Sequence, residues 1–192
     1  MHAIDLGPGE AVLHEGDPAR TVVVLPGVAY FSQAPLLWFA REVAQAQGWS
    51  VLELSERAPA GQEPFAWMRD RAARALDATD SETVAVVGKS LASAAAPLVV
   101  ERGLPAVWLT PLLTRPAVVE ALSAVRAPTL AVGGTADSSW MDGERPRAGD
   151  ALELVELEGV DHSLQVPGEP LRSLDLLKQV TERVGDFLER LG

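Results

Sequence analysis

The chain has 192 residues, which is the length of one domain with a substantial core. Its 16 basic and 27 acidic side chains give a formal net charge of −11, which argues against binding nucleic acid or an anionic membrane surface. The chain contains no cysteine, so disulfides, thiolate nucleophiles and cysteine-ligated metals are excluded. Histidine-dependent chemistry can use only His2, His14 or His162.

Short β-branched runs alternate with longer segments of helical periodicity along the chain. Strands are predicted at residues 11–14, 21–25, 50–54, 83–87, 106–109, 129–132 and 151–157. Helices are predicted around residues 36–44, 65–75, 94–99, 117–125 and 174–191. The alternation predicts a single α/β domain over residues 1–192, with a mostly parallel sheet between two layers of helices.

Two details refine this prediction of the sheet. The runs at 22–25 and 84–87 are apolar on both faces, as expected of parallel strands covered by helices on each side. The weaker segment 11–14 precedes a Gly-Asp-Pro turn, which favours a hairpin with the strand at 21–25. The first residues lack a secretory pattern, and no apolar run approaches the length of a membrane span, so we expect a cytoplasmic protein.

A serine follows the predicted strand 83–87 directly, in the segment Gly88-Lys89-Ser90-Leu91-Ala92. A strand, a sharp turn with serine and a helix of small residues together predict a nucleophile elbow, which lifts the hydroxyl above the strand ends. Ala92 stands where the usual pattern has glycine. As an alternative, Ser90 only caps a helix. The side chain of Lys89 is expected to be solvated.

An acid and a base follow two later strands, in the chain order Ser, Asp, His that accompanies a nucleophile elbow. Asp137 comes after the strand at 129–132, and His162 after the strand at 151–157, where it is the one histidine that follows a strand end. Each residue has an ordinary alternative: Asp137 as a turn former and His162 as a surface residue. Asp142 and Asp161 are competing acids. Three residues in this order nevertheless favour a Ser-His-Asp triad.

The loop after the strand at 21–25 begins Pro-Gly and is the expected site of a second oxyanion donor. We predict an oxyanion hole from the backbone N–H groups of Val28 and Leu91. Tyr30, with Ser32 and Gln33, is expected at the mouth of the pocket. Trp140 is interpreted either as an apolar wall that contacts substrate or as internal packing.

These motifs resemble those of the α/β-hydrolase superfamily, in particular its small bacterial members without a lid that are related to dienelactone hydrolases and compact carboxylesterases. The resemblance extends from residue 21 to residue 191 and includes Leu-Pro-Gly at 25–27, Gly-Lys-Ser-Leu-Ala-Ser at 88–93, Gly-Thr-Ala-Asp at 134–137 and Asp-His-Ser-Leu at 161–164. It departs from many relatives in Ala92 and in Pro26, where they have histidine. Residues 110–128 leave room for about one helix and therefore not for a lid.

The resemblance implies a serine hydrolase that cleaves a small ester or related acyl substrate through an acyl-enzyme, without a metal or an organic cofactor. A carboxylic-ester hydrolase is the first expectation, and a thioesterase or peptidase would use the same triad. The alternative from another class is a non-catalytic binding protein that has kept the fold. The expected partner is a small acyl substrate, and the sequence does not indicate an oligomeric state.

Overall fold

A computed structural model describes residues 2–4, 11–55, 60–147 and 149–192. The strands in this part of the chain are β1 (His2–Ile4), β2 (Ala11–His14), β3 (Asp17–Leu25), β4 (Trp49–Leu54), β5 (Thr83–Lys89), β6 (Ala106–Leu109), β7 (Thr129–Gly134) and β8 (Leu152–Leu157). The helices are α1 (Pro35–Ala46), α2 (Pro64–Asp77), α3 (Ala96–Glu101), α4 (Pro116–Ser123), α5 (Ser138–Met141) and α6 (Pro170–Glu189), and a 3₁₀ helix over Ser90–Ala95 precedes α3.

The eight strands form one sheet in the order β1-β2-β4-β3-β5-β6-β7-β8. The neighbours from β4 to β8 in this order pair in parallel, and β1 and β2 add an antiparallel edge. The predicted α/β architecture with a mostly parallel sheet is therefore confirmed. Strand β1 was not predicted.

The predicted hairpin between 11–14 and 21–25 is wrong. Strand β2 pairs with β1 and β4, and both edges of β3 are already occupied by the parallel strands β4 and β5. A strand with two parallel neighbours has no free edge for an antiparallel partner, because each edge carries one ladder of hydrogen bonds.

Helices cover both faces of the sheet and enclose two apolar cores. One core packs α2, the 3₁₀ helix, α3 and α4 against the sheet, and the other packs α1 and α6 against the opposite face. Four of the long helices begin at proline, which lacks the N–H that a first helical residue leaves unpaired. The alternation of inward residues along β5 explains the two cores, since Val86 belongs to one and Val87 to the other.

The loops that follow the parallel strands all emerge at the carboxyl ends of these strands. Ser90 follows β5, Asp137 follows β7 and His162 follows β8, so these three residues lie at the same end of the sheet. The connection between β6 and β7 contains one eight-residue helix, α4. Within the described residues, no helix is long and apolar enough to cross a membrane.

Candidate active site

The turn after β5 holds Ser90 in a left-handed conformation with φ of 52°. For a residue other than glycine this conformation costs on the order of 1–3 kcal/mol, so the surrounding packing must maintain it. Gly88 makes the turn possible, because a Cβ there would lie 2.7 Å from Cβ of Ala92 and 2.8 Å from the ring of Trp108. The strand and the following helix therefore approach each other as closely as the elbow interpretation required.

The three predicted triad residues form one hydrogen-bonded chain. Nε2 of His162 lies 2.8 Å from Oγ of Ser90, and Nδ1 of His162 lies 2.8 Å from Oδ2 of Asp137. With the carboxylate ionised, Nδ1–H donates to Asp137, which leaves Nε2 free to accept the hydroxyl proton of Ser90. Asp137 is 2% exposed, whereas the side chain of His162 is 39% exposed.

Each oxygen of the Asp137 carboxylate takes part in a hydrogen bond, and the two bonds fix its orientation. Its Oδ1 accepts a hydrogen bond of 2.9 Å from the backbone N–H of Ser139, at the start of α5, and its Oδ2 faces His162. The competing acid Asp142 is exposed, and Asp161 makes other contacts. Oδ1 of Asp161 accepts the backbone N–H groups of Ser163 and Gln165 and so closes the turn that carries His162.

The predicted oxyanion loop lies directly against the elbow. A Cβ added to Gly27 would be 3.3 Å from the carbonyl oxygen of Lys89 and 3.4 Å from Cβ of Ser90. The N–H of Gly27 donates to the carbonyl of Tyr30 at 3.0 Å, which makes a tight turn with Val28 exposed at its tip. Both predicted donors, the N–H groups of Val28 and Leu91, thus belong to segments adjoining the hydroxyl of Ser90.

The expectation that Lys89 is solvated is wrong. The side chain is 2% exposed, because β5 continues two residues beyond the predicted strand end and Lys89 is its last residue. Nζ donates to Oγ1 of Thr110 at 2.9 Å and to the carbonyl oxygen of His162 at 2.8 Å, and it lies 4.6 Å from the centre of the Tyr30 ring. Burial lowers the pKa of Lys89 to about 8, although Asp137 and Asp161 oppose the shift.

Two other side chains differ from the sequence-based expectations for the pocket. Trp140 is fully buried and packs on Gly133 of β7, where a Cβ would overlap its ring, and its Nε1 donates to Glu156 at 2.8 Å. A side chain without exposed surface cannot form a substrate-contacting wall, so the packing interpretation of Trp140 is the correct one. Ser32 is also buried and donates to Glu53 at 2.6 Å, so it does not line the pocket mouth.

Glu53, at the end of β4, anchors the segment that follows the oxyanion loop. Oε1 accepts hydrogen bonds from Ser32 and from Gln33 (2.8 Å), and Oε2 accepts one from Arg41 (2.7 Å) and lies 3.1 Å from Nε2 of His14. Burial raises the pKa of Glu53, but the hydrogen bonds from Ser32 and Arg41 outweigh it and leave this pKa below its usual value. The sequence analysis did not identify this cluster.

A cleft of about 400 Å³ lies beside Tyr30 and the loop that follows His162. Its walls come from the start of α1, the loop after His162 and the first turns of α6, and they include Tyr30, Leu36, Ser163, Leu164, Leu174 and Leu177. Tyr30 accepts the backbone N–H of Leu36 with its hydroxyl (3.1 Å), which holds its ring between the cleft and Lys89. Tyr30, which was predicted at the mouth of the substrate pocket, thus lines this cleft.

A larger cleft of about 590 Å³ lies away from the triad, among residues that include Thr21, Ser50 and Ser81 near the opposite ends of the strands. It lies at the opposite end of the strands from Ser90, so its size does not make it the reactive centre. Among the described residues, no group of three or more histidine and acidic side chains is placed to hold a metal ion.

Solved structures with low sequence identity share this architecture. Est1E from Butyrivibrio proteoclasticus, in a structure with bound ferulic acid, is 14% identical, with a TM-score of 0.73 over 100% of this chain and 99% of its own. A dienelactone hydrolase from Anabaena variabilis is 18% identical, with a TM-score of 0.73 over 99% and 96%. A lidless α/β serine hydrolase from Xanthomonas campestris is 13% identical, with a TM-score of 0.70 over 98% and 93%.

The chain therefore has the α/β-hydrolase fold, as the motifs predicted. A scan against protein-family models and a search of curated proteins give no match. Because one fold supports many functions, the activity is argued from the residues of the site.

Proposed function

We propose that this protein is a serine hydrolase that cleaves a small carboxylic ester through an acyl-enzyme, within the single domain expected for residues 1–192. The observation that supports this proposal most directly is the continuous chain of hydrogen bonds from Ser90 through His162 to Asp137, with both distances at 2.8 Å. A neutral serine hydroxyl is a weak nucleophile, and a base oriented by a buried carboxylate supplies the activation that it needs.

The reaction has two halves. As Oγ of Ser90 attacks the ester carbonyl carbon, its proton passes to Nε2 of His162, and the developing oxyanion accepts hydrogen bonds from the N–H groups of Val28 and Leu91. The imidazolium then returns the proton to the leaving alcohol as the ester C–O bond breaks. Water attacks the resulting acyl-serine with His162 again as the base, which releases the carboxylic acid and restores Ser90.

The shape of the site favours a small ester. The segment between β6 and β7 holds only α4, and the cleft beside Tyr30 is open and has a volume near the lower end of ligand sites, which are usually about 300–1,000 Å³. Its lining is mainly apolar, which suits the hydrocarbon part of an acyl or alcohol group. Est1E and dienelactone hydrolase, whose names denote ester and lactone chemistry, share the fold and are consistent with this substrate class.

An active-site-directed fluorophosphonate tests the nucleophile. We expect covalent labelling of the wild-type protein, no labelling of Ser90→Ala, and unchanged labelling of the control Ser123→Ala. Ser123 is at the end of α4, near the amino end of β7, and its hydroxyl donates to the carbonyl of Val119. Equal labelling of wild type and Ser90→Ala contradicts the assignment.

Turnover of short p-nitrophenyl esters and matching thioesters tests the reaction class. His162→Gln should abolish turnover, whereas His14→Gln should retain it, because the ring of His14 lies against Glu53 and not against Ser90. Turnover of thioesters in preference to esters would replace the ester proposal by a thioesterase. Absence of both labelling and turnover would instead favour a binding protein that uses the same cleft.

A further inference from the structure

The ammonium group of Lys89 connects four of the loops that build the candidate site. Lys89 belongs to the elbow itself, and its Nζ donates to Thr110 after β6 and to the backbone carbonyl of His162 after β8. The ring of Tyr30, in the loop after β3, lies 4.6 Å from Nζ. Three N–H directions of one cation are thus directed to three separate segments.

Electrostatics make this arrangement unusual for a purely structural lysine. The side chain is 2% exposed, and no carboxylate in the described part of the chain lies within 4.0 Å of Nζ. Burial of an ammonium without a counter-ion is costly unless hydrogen bonds compensate for the lost water. The groups in direct contact are the Thr110 hydroxyl, the His162 carbonyl and the Tyr30 ring, and the last two belong to the loops that surround Ser90. The carboxylates of Asp137 and Asp161 favour the ammonium from a longer distance.

The bond to His162 is the one that bears on the reaction. The carbonyl belongs to the same residue whose imidazole must lie 2.8 Å from both Ser90 and Asp137. Because a charge-assisted hydrogen bond is about twice as strong as a neutral one, the ammonium form holds this backbone more firmly than the amine would. A displacement of about 1 Å in such a site can lower the rate by about 100-fold.

We propose that Lys89 is a positioning residue for the serine hydrolase reaction, and that its ammonium form holds the His162 loop in register with Ser90. The inference rests on the proposed function. It implies that activity falls at alkaline pH as Lys89 loses its proton. The charged and titratable groups facing this ammonium are Tyr30, Asp137, Asp161 and His162.

The direction of the alkaline effect follows from the burial of Lys89. Burial disfavours the charged form and lowers the pKa of Lys89 to about 8. The ammonium therefore holds the carbonyl of His162 below this pH, and this charge-assisted hydrogen bond, which we call the clamp, is lost as pH rises through it. An ordinary lysine, with a pKa of about 10.4, would stay mostly charged as pH rises through 8 and 9. The alkaline decline therefore distinguishes a buried lysine from a solvated one.

The composition of the chain makes a direct measurement possible. Lys89 and Lys178 are its only lysines, and the side chain of Lys178 is 76% exposed. Protein labelled with ¹³C at lysine Cε should give two signals, which Lys178→Arg assigns. We expect the Lys89 signal to titrate near pH 8, well below the ordinary lysine value of about 10.4. Titration of the Lys89 signal above pH 10 overturns the inference.

The kinetic arm compares pH profiles of kcat and KM between pH 6 and 10. Lys89→Met keeps an unbranched buried side chain without the charge, and we expect kcat to fall about 10- to 100-fold with little change in KM. Its profile should lose the alkaline decline. A variant with wild-type kcat, or with the alkaline decline unchanged, overturns the inference.

Thr110→Val provides a second variant if Lys89→Met does not fold. It removes one acceptor from the ammonium but keeps the lysine, so the charged form is less favoured and the pKa of Lys89 should fall. The NMR midpoint and the kinetic midpoint should move together to lower pH, by about one unit, since a hydrogen bond to a charged group is of about that strength. Movement of one midpoint without the other contradicts the assignment of the alkaline decline to Lys89.

The two proposals can fail separately. A wild-type protein without labelling or turnover contradicts the hydrolase function. In that case the NMR signals of the His162 imidazole, recorded in Ser90→Ala, still test the clamp. Their chemical shifts should change at the pH midpoint measured for Lys89. Imidazole signals that do not respond at that midpoint overturn the positioning role.

Discussion

Glu53 allows a quantitative test of how much its buried hydrogen bonds, which hold the segment after the oxyanion loop, contribute to the stability of the fold. The substitution Glu53→Gln keeps the volume of the side chain and replaces one acceptor oxygen by an NH₂ group. In wild type, Oε1 accepts two hydrogen bonds and Oε2 faces the donors of Arg41 and His14. The amide can present its single oxygen to one side only, so its NH₂ must face donors on the other.

The expected loss follows from burial. Glu53 is 2% exposed and the side chain of Arg41 is 11% exposed, and removal of one partner of a buried ion pair costs about 3–5 kcal/mol. For a chain of this length the midpoint of thermal unfolding should fall by about 6–20 °C, at about 2–4 °C per kcal/mol. Glu42→Gln is the matched control, because Glu42 pairs with the same Arg41 but is 43% exposed, and such pairs contribute about 0–1 kcal/mol.

Urea unfolding at pH 7 and pH 3 measures both parts of this prediction. Because the pKa of Glu53 is lowered in the folded protein, its contribution is complete above the unfolded pKa, about 4.3, and is lost as pH falls through the folded pKa. Wild type should therefore exceed Glu53→Gln in unfolding free energy by the full amount at pH 7 and by less at pH 3. A difference below about 1 kcal/mol at pH 7, or equal effects of both variants, would refute the reasoning.

Two further predictions concern the triad and the elbow. Asp137→Asn should lower kcat for esters by about 10⁴-fold with the protein still folded, because the histidine tautomer is no longer fixed, whereas Asp161→Asn should affect kcat far less. Comparable losses in the two variants would contradict the assignment of the acid. Gly88→Ala should lower the unfolding free energy by about 1–3 kcal/mol, because its Cβ has a neighbour at 2.7 Å. Gly149→Ala, with open space around its Cβ, should change that free energy by less than about 0.5 kcal/mol in a urea titration, and similar losses for the two glycines would contradict the packing argument.

The position of the site could be predicted from the sequence because its residues follow strands directly. Ser90, Asp137 and His162 each lie within a few residues of a buried apolar run, and parallel strands direct such residues to one end of the sheet. The positions of these residues directly after parallel strands were therefore sufficient to predict that they lie close together. The bounds of the predicted strands agree to within two residues, except that β3 begins four residues earlier than predicted.

Pairing and burial could not be predicted in the same way. The local pattern at 11–14 indicates a strand, but its partner depends on which edges of the sheet later strands occupy. The burial of Lys89 depends on the carbonyl of His162, 73 residues further along the chain. A lysine that ends an apolar strand before the elbow serine was the available signal. Trp140 was ambiguous for the same reason, because its contacts with Gly133 and Glu156 decide between packing and exposure.

The spacing of the candidate triad along the chain has a consequence for how the proposed activity would arise during synthesis. Ser90 and His162 are 72 residues apart, and His162 follows β8, which must pair with β7 before the imidazole reaches the hydroxyl. Contacts of such sequence separation form late in folding, because the loop must be closed before the contact is made. A nascent chain that has exposed the elbow therefore carries an unactivated serine. Recovery of probe labelling during refolding would report the docking of β8, and with it the completion of the sheet.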